Sequence, residues 1–380
     1  MVLAVAVLAL GLLAAVVPFF TSRLGRASGY PLAAGFVAVG VLLGTQVPAV
    51  LRGEPVEGEW TWLPSLGVSL SLRLDGLSLL FCMLVLGVGA LIMAYCARYL
   101  KPDDRHTRWY VLLTLFGVAM LGLLLAADLV VLFAFWELTT VTSFLLIGTA
   151  GPTAGRPAAR ALLVTGSGGL ALLLAVVMVG VAAGTTDIAT ITANPQLVLG
   201  SPLAGPIGAL VIVAAITKSA QLPFHFWLPD AMIAITPVSA YLHAATMVKA
   251  GVYLLMRFTP LYAGQPAWAA GVEVRLSGQA SAFADPVTAT EGPDGMYAEI
   301  LSNAPRLRFA VEQLAREHGE AASEIAALGA VMDEVDGTDQ ETIERVRARG
   351  TDLLATLLRH RQRGADLVFE AYAQDIGGCD

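Results

Sequence analysis

Eight apolar segments follow one another along the first two thirds of this 380-residue chain. A membrane-spanning helix needs roughly 20 consecutive apolar residues. Segments near that length occur at about 1–20, 30–50, 75–97, 109–126, 128–149, 160–183, 203–233 and 237–259. The seventh contains Pro223 and Pro229, which interrupt the hydrogen bonding of a helix. The sequence therefore predicts an all-α integral membrane protein with about eight transmembrane helices, of which the seventh is discontinuous.

The charge of the chain changes sharply after the last apolar segment. Residues 1–270 contain 13 Lys and Arg against 10 Asp and Glu, whereas residues 271–380 contain 10 Arg, no Lys and 20 Asp and Glu. Such an asymmetry indicates two unlike regions. We expect a transmembrane domain over 1–265, a linker over 266–300 and a soluble acidic helical hairpin or small bundle over 301–380.

The acidic region shows two helical patterns. One runs from Pro305 to Val335, and the other opens at Thr338, where Thr338-x-x-Glu341 fits a capping box. His318 and His360 in this region are expected to be solvated surface residues and not metal ligands. No cofactor-binding loop is recognisable, and no basic cluster with interleaved aromatics points to nucleic acid.

The loops between the apolar segments predict the orientation of the chain. The first, third and fifth loops carry most of the loop Lys and Arg, with four such residues in the third. Cytoplasmic loops are the ones enriched in positive charge. We therefore expect a multi-pass cell-membrane protein whose N-terminus is outside. After eight crossings, the C-terminal region is also outside.

Two titratable residues inside the apolar segments indicate movement of ions. Lys218 directly precedes the interrupted part of the seventh segment, and Glu137 is the ionisable residue deep in the fifth. A charge at mid-membrane costs about 3 kcal/mol on insertion scales, so such residues usually mark an ion or proton path. A carboxylate holds its proton more tightly when a nearby ammonium group moves away. We hypothesise that Glu137 and Lys218 form a coupled proton-exchanging pair; the alternative is a fixed salt bridge between helices.

The last apolar segment contains a polar stripe. At about 100° per residue, His243 and Lys249 fall on the same helix face as Ser239, Thr246 and Tyr253. A polar stripe on a spanning helix faces other helices or water. Interhelical hydrogen bonding explains Ser and Thr in such a stripe, but it explains a mid-membrane lysine poorly. His243 and Lys249 are therefore predicted to belong to the proton path.

Other polar or small residues of the spans have two interpretations each. His225 and Asp230 lie at the helix break, where they either relay protons or serve packing. Asp75 and Asp128 are expected to be helix-end residues, although Asp75 could also be an entrance carboxylate. The glycines of VTGSGGLALL follow no strand, so close helix packing explains them better than nucleotide binding.

Four long motifs occur in a characteristic order: WLPSLGVSLSLRLDGLSLLF, FWELTTVTSFLLIG, TKSAQLPFHFWLPDAM and TPVSAYLHAATMVKAGVYLLMRF. Through them, residues 1 to about 268 resemble the N-terminal part of the large A-type subunit of Mrp-type Na⁺/H⁺ antiporters. These subunits belong to the antiporter-like group shared with respiratory complex I. In that family a second, inverted helix bundle follows, whereas here an acidic region follows.

The resemblance implies specific roles. Glu137 and Lys218 would be the family's glutamate–lysine pair, and His243 and Lys249 would continue a polar axis through the membrane. The chain would then be one component of a monovalent cation/proton antiporter, exchanging protons for Na⁺ or K⁺ together with other membrane subunits, with no cofactor or metal. One alternative is a proton-pumping subunit of an NADH–quinone oxidoreductase. Another is a non-transporting fusion whose membrane part anchors a helical binding module.

Overall fold

The computed structural model describes residues 2–63, 68–101, 106–265, 268, 291 and 295–333, and eight positions between 349 and 367. The chain forms two compact units, Met1–Val272 and Glu273–Asp380. The first is called the membrane unit here and the second the C-terminal unit.

The membrane unit consists mostly of helices. These are α1 (Val2–Leu24), α2 (Gly29–Gly44), α3 (Val47–Leu51), α4 (Gly76–Tyr99), α5 (His106–Leu125), α6 (Leu129–Gly148), α7 (Gly155–Ala183), α8 (Ile188–Ala193), α9 (Gln196–Leu199), α10 (Ala204–Lys218), α11 (Trp227–Ala231), α12 (Thr236–Ser239) and α13 (Met247–Phe258). A π-helical segment, Ala240–Thr246, joins α12 to α13.

Several of these helices have the length and composition of membrane spans. Among the described residues, five helical stretches are long and apolar enough to cross a bilayer: Val2–Gly44, which contains α1 and α2, then α4, α5, α6 and Pro152–Ala183, which contains α7. The apolar helix α10 is shorter. Helix α5 lies at the centre of the unit, since 14 of its 20 residues are buried, against 5 of 23 in α1. The prediction of a multi-pass helical membrane protein is confirmed.

Two carboxylates begin membrane helices. Asp75 caps α4 by accepting a hydrogen bond from the backbone N–H of Ser78 at 2.9 Å. Asp128 caps α6 by accepting from the N–H of Val130 at 2.7 Å, and its second oxygen accepts from the Thr186 hydroxyl at 2.5 Å. Such caps satisfy backbone donors that the first turn of a helix leaves unpaired. The prediction that both aspartates are helix-end residues is confirmed.

The all-helical prediction missed one element, a β-hairpin ahead of α4. Strand β1 (Val56–Leu63) pairs antiparallel with β2 (Val68–Leu74). Leu72 and Leu74 are buried, while Arg73 between them points to the other face and is partly exposed. This alternation is the side-chain period of a strand with one buried face. The hairpin therefore packs one side of β2 onto the helices.

Close packing of the central helices depends on small residues. Phe36 of α2 is fully buried, and its ring lies against Gly89 of α4 and Gly117 of α5. A Cβ atom at these glycines would come within 2.6 Å and 2.9 Å of the ring. Glycine thus lets three helices approach around one aromatic side chain, as is usual between membrane helices.

A buried ion pair joins the start of α4 to the end of α13. The Arg257 guanidinium donates to both carboxylate oxygens of Asp75, and to the hydroxyls of Ser78 at 2.5 Å and Tyr253 at 2.7 Å. The side chains of Arg257 and Asp75 are only 11% and 25% exposed. The Tyr253 hydroxyl donates in turn to the carbonyl of Leu124 at 2.7 Å. One arginine therefore links α4, α5 and α13.

Replacing Arg257 with methionine is expected to destabilise the membrane unit by about 3 kcal/mol, because the largely buried Asp75 then keeps only the Arg73 guanidinium, at 4.0 Å, as a charged partner. Thermal unfolding of the full chain in detergent measures the change. The matched control is Glu54→Gln, which breaks the pair between Glu54 and Arg52 at 2.9 Å, where Glu54 is 63% exposed. An exposed pair is worth about 0–1 kcal/mol. Equal midpoints for the two variants would contradict a structural role for Arg257.

The C-terminal unit contains the helices Met296–Asn303 and Arg308–Asp333 among the described residues. An apolar cluster holds them together, formed by Tyr297, Ile300, Ala304, Leu307, Val311, Leu314 and Leu367. The predicted capping box at Thr338 and Glu341 lies outside the described residues.

The two histidines of the C-terminal unit are not the solvated residues that the sequence suggested. Their side chains are only 11% exposed (His318) and 15% exposed (His360), and their ring centroids are 4.5 Å apart. His318 Nδ1 lies 2.7 Å from a carboxylate oxygen of Glu291, and His360 Nδ1 lies 2.9 Å from one of Glu317. The prediction was wrong because these polar contacts make burial of both rings favourable.

Glu317 makes the C-terminal unit sensitive to acid. Burial raises the pKa of its carboxyl, but the hydrogen bonds and charges of His360 and Arg363 outweigh burial and hold the pKa below its usual range. The unfolded value is about 4.3. A carboxyl whose folded pKa is lowered contributes stability above the unfolded pKa and loses it as the pH falls through the folded pKa.

We therefore expect hydrogen-exchange protection of the helix Arg308–Asp333, corrected for the intrinsic exchange rate, to decline as the pH falls below about 4. The measurement uses the full chain. In Glu317→Gln the protection is lower at neutral pH and changes less with acidification. A variant with the wild-type pH dependence would assign the effect to other carboxyls.

Candidate functional site

Lys218 ends α10 inside the protein. Its side chain is fully buried, and Nζ donates to the backbone carbonyl of Trp136 at 2.9 Å and to the Thr140 hydroxyl at 2.8 Å, both on α6. The same nitrogen lies 4.6 Å from the centre of the Trp136 ring, a cation–π contact. The amine is therefore held by neutral groups of α6.

Glu137 follows Trp136 on α6, so its backbone adjoins the carbonyl that accepts from Lys218. The charges of Glu137 and Lys218 are close enough to interact. No nitrogen–oxygen distance of 4.0 Å or less joins the two side chains, both of which belong to the described part of the chain. Glu137 Oε1 is buried without a hydrogen-bond partner among the described residues. The structure thus brings the pair together without locking it as a salt bridge.

The chain breaks directly after Lys218. Ala220 has a positive φ of 50°, which alanine rarely adopts, and a 3₁₀ turn at Phe224–Phe226 leads into the single-turn helix α11. The Thr217 carbonyl at the break accepts from Trp227 Nε1 at 3.0 Å. The interrupted backbone is thus satisfied by protein groups, as a membrane interior requires.

His243 lies in the π-helical segment between α12 and α13. Only 7% of the residue is exposed, and its ring centroid is 6.0 Å from that of Trp227. Neither ring nitrogen has a hydrogen-bond partner among the described residues. A buried polar group without a partner is costly and calls for an explanation such as water or a moving proton.

Lys249 does not share the buried face of His243. Thr246 and Tyr253 are fully buried, whereas Lys249 on α13 is exposed on the surface of the membrane unit. The Thr246 hydroxyl donates to the carbonyl of Tyr241, five residues earlier, as the wider turn of a π-helix allows. The wider turn changes the rotation of His243 relative to α13, whereas Lys249 and Tyr253 keep α-helical spacing within α13.

The two polar residues at the helix break, His225 and Asp230, have different surroundings. His225 is exposed. Asp230 forms an ion pair with Arg160 of α7. Among the described residues, neither His225 nor Asp230 forms a hydrogen bond or ion pair with Glu137 or Lys218. Asp75 is engaged by Arg257 and is likewise part of a structural network.

Sequence reasoning missed several neighbours of the pair. Thr140 and the carbonyl of Trp136 hold the Lys218 amine, and Gly169 of α7 lies against the Glu137 carboxyl. A weak signal existed for Thr140, because residues three apart on a helix lie on neighbouring faces and Thr140 follows Glu137 by three. The contact with Gly169 joins distant parts of the chain and gives no local signal.

The arrangement suits transfer of protons better than bond-making chemistry. A buried amine interacts with a carboxyl that has one buried oxygen, without a direct ion pair and beside a broken helix. The unpartnered ring of His243 lies against Trp227, which belongs to the same break. Groups coupled in this way change their protonation together. Among the described residues, no group of three or more His, Cys, Asp or Glu side chains is placed to hold a metal ion.

Comparison with known families identifies two segments of the chain. Residues 126–285 match the family model described as NADH:quinone oxidoreductase/Mrp antiporter, TM. Residues 60–110 match the model described as NADH-ubiquinone oxidoreductase (complex I), chain 5 N-terminus. The first match includes Glu137, Lys218, His243 and Lys249, and it extends past the predicted end of the transmembrane domain at residue 265.

Antiporter proteins of other bacteria match the same part of the chain. A probable K⁺/H⁺ antiporter component of the A/B type from Rhizobium meliloti (strain 1021) is 45% identical over 223 residues, covering 58% of this chain and 22% of the relative. The A-type component of a Na⁺/H⁺ antiporter from Alkalihalophilus pseudofirmus is 48% identical over 221 residues, covering 57% of this chain and 27% of the relative. The chain therefore spans about a quarter of the length of these relatives.

Solved structures show the same likeness. The Mrp complex from Dietzia sp. DQ12-45-1b contains a chain that is 36% identical, with a TM-score of 0.74, covering 100% of this chain and 38% of that one. An archaeal membrane-bound sulfane sulfur reductase shares the fold at 20% identity, with a TM-score of 0.64, over 77% of this chain and 60% of that one. The resemblance to the A-type subunits of Mrp antiporters, expected from the four motifs, is confirmed. Residues 60–110 and 126–285 are thus similar to membrane subunits of Mrp antiporters and of NADH–quinone oxidoreductase.

Proposed function

We propose that this chain is a subunit of a monovalent cation/proton antiporter, in which protons pass through Glu137, Lys218, His243 and Lys249 in exchange for Na⁺ or K⁺. The proposal rests on the burial and the hydrogen bonds of the Lys218 side chain. Its amine is fully buried at the end of a broken helix, next to Glu137, yet it bonds only to neutral groups of α6. A fixed salt bridge would join the two side chains directly.

Proton exchange follows from moving the ammonium group. When the Lys218 ammonium lies close to Glu137, it favours the ionised carboxylate; when it moves away, the carboxylate takes up a proton. The amine needs to leave only two neutral acceptors to move, which is easier than breaking a buried ion pair. Each cycle of approach and withdrawal passes one proton through Glu137.

His243 and Lys249 extend this path in the proposal. The ring of His243 is buried, and both of its nitrogens are without a hydrogen-bond partner among the described residues, so they are open to a water molecule or a proton. Lys249 lies six residues further along, on an exposed face. An exposed lysine at mid-membrane is expensive in lipid, so this face is suited to contact with another protein. Other membrane subunits of the antiporter complex are the partners that this supports.

The finer topology is part of the same proposal. Eight segments cross the membrane: α1, α2, α4, α5, α6, α7, the discontinuous segment from α10 to α11, and the segment from α12 to α13. We place the transmembrane domain at 1–265 and a linker after it, followed by a soluble acidic helical hairpin or small bundle. The helical region begins ahead of residue 301, because the helix Met296–Asn303 packs in the apolar cluster of the C-terminal unit. Packing of Leu367 in the apolar cluster of the C-terminal unit supports the hairpin. The basic first, third and fifth loops support an N-terminus and a C-terminal region outside the cell.

A second candidate is a proton-pumping subunit of an NADH–quinone oxidoreductase, favoured by the descriptions of both matched family models. Proton movement driven by an imposed Na⁺ or K⁺ gradient, with no electron donor present, separates the two. An antiporter responds to such a gradient, whereas a redox-driven pump does not.

Neutralising either member of the pair is expected to abolish transport. Glu137→Gln removes the proton-binding carboxyl and Lys218→Ala removes the ammonium group that controls it. Each variant is expected to lower cation-driven proton movement by roughly a hundredfold or more, the typical contribution of a proton-transferring group. The measurement uses a pH-sensitive dye in vesicles that contain the full chain assembled with its partner subunits.

The matched control is Glu54→Gln, which removes a carboxylate that is 63% exposed and paired with Arg52 away from the pair. It should transport at the wild-type rate. Membrane levels of all variants are compared by immunoblot. Full transport by Glu137→Gln or by Lys218→Ala would exclude the pair, and full transport by both would favour a membrane anchor without transport activity.

Substitutions at Lys249 and His243 test whether these side chains transfer protons. At Lys249, they also separate proton transfer from the presence of a positive charge. Lys249→Arg keeps a positive charge, but an arginine side chain does not release its proton in proteins. If Lys249 carries protons, both Lys249→Arg and Lys249→Ala slow transport, by about tenfold or more. If Lys249 only contacts a partner, the arginine variant is active. His243→Gln is expected to slow transport similarly, and a wild-type rate would remove His243 from the path.

A further inference from the structure

Two adjacent glycines of α7 face the Glu137–Lys218 pair. A Cβ atom built on Gly169 would overlap Glu137 Oε1, and it would lie 2.7 Å from the carboxyl carbon and 3.3 Å from Oε2. Real Cβ atoms do not approach other heavy atoms within 3.0 Å. The carboxyl group of Glu137 therefore occupies space that any side chain at position 169 would need.

The neighbouring glycine makes the equivalent contact with α10. A Cβ atom on Gly168 would overlap the Oγ1 atom of Thr217, the residue before Lys218. By contrast, Gly166 on the same helix has nothing within 4 Å of its would-be Cβ. Glycine is a poor helix former compared with alanine. Close packing therefore explains why positions 168 and 169 are glycine, whereas no neighbouring atom restricts the side chain at position 166.

We propose that Gly169 is a positioning residue for proton exchange, acting through Glu137. By leaving out a side chain, it lets the carboxyl group settle between α6 and α7, where the group interacts with the Lys218 amine without being drawn into an ion pair. This inference rests on the proposed function and deepens it. Helix α7 then sets the distance between the Glu137 carboxyl and the Lys218 amine.

The contact can be tested by enlarging the side chain at position 169 and shortening the side chain at position 137. Gly169→Ala adds a methyl group where the carboxyl lies, and Glu137→Asp withdraws the carboxyl by one methylene, about 1.5 Å. Gly166→Ala is the matched control on the same helix. We expect Gly169→Ala to lower the thermal midpoint of the full chain in detergent, Gly166→Ala to leave it unchanged or raise it, and Gly169→Ala/Glu137→Asp to recover most of the loss. This measurement does not depend on transport.

The functional readout is cation-driven proton movement by the assembled complex in vesicles, as a function of pH. Gly169→Ala is expected to slow turnover on the order of a hundredfold, as a displacement of about 1 Å does for a reacting group. The pH profile should also be displaced, with the cation concentration for half-maximal rate unchanged. A residue that only packs helices would lower the amount of protein and leave the pH profile in place. The double variant should regain activity relative to Gly169→Ala.

The outcomes separate this inference from the function on which it rests. If Glu137→Gln is inactive while Gly169→Ala has the wild-type rate and pH profile, the positioning role is wrong and the proposed function stands. If Glu137→Gln is active, both are wrong. If Gly169→Ala fails to insert, the double variant decides: restored insertion and transport support the contact, and failure of Glu137→Asp to restore them contradicts it.

Discussion

The buried amine of Lys218 is the constraint on which the membrane unit depends. An ammonium group in a membrane interior is tolerated only where protein groups replace its water. Here α6 supplies the replacement, with a backbone carbonyl at 2.9 Å, a threonine hydroxyl at 2.8 Å and the face of an indole ring. Helix α10 packs against α7, which in turn packs against α6, and α10 ends where the long side chain of Lys218 reaches α6.

Ending a helix inside the membrane unit has consequences for the chain that follows. The residues after Lys218 cannot leave backbone groups unpaired in an apolar environment. Trp227 supplies a ring N–H to the Thr217 carbonyl, and Ser219 supplies a hydroxyl to the carbonyl of Val248 at 2.7 Å. The second contact ties the break to α13, which packs closely because a glycine of α13 lies against the Ser219 hydroxyl. These hydrogen bonds connect α10, α11 and α13 at the break.

Features that depend on local composition could be predicted from the sequence, and features that depend on distant contacts could not. Apolar length predicted the membrane helices, and short polar side chains before apolar runs predicted Asp75 and Asp128 as helix starts. The position of Lys218 before a proline-containing stretch predicted the break. The pairing of Arg257 with Asp75 joins residues 182 positions apart, and nothing near either residue announces it. The π-helical segment replaces regular α-helical turns up to Thr246, so α-helical spacing does not give the rotation of His243 relative to α13.

Two acid–base pairs of the membrane unit, Arg257–Asp75 and Lys218–Glu137, differ in their contacts, and this difference explains their different roles. Arg257 is joined to both carboxylate oxygens of Asp75, so changing a charge there leaves a buried partner uncompensated and weakens the fold. Glu137 and Lys218 interact across a gap instead, because the amine rests on neutral acceptors. A change of protonation in this second pair breaks no existing ion pair. In the proposed mechanism, the energy of a proton transfer is therefore available to move the side chains, and Gly169 of α7 leaves the space in which the Glu137 carboxyl lies.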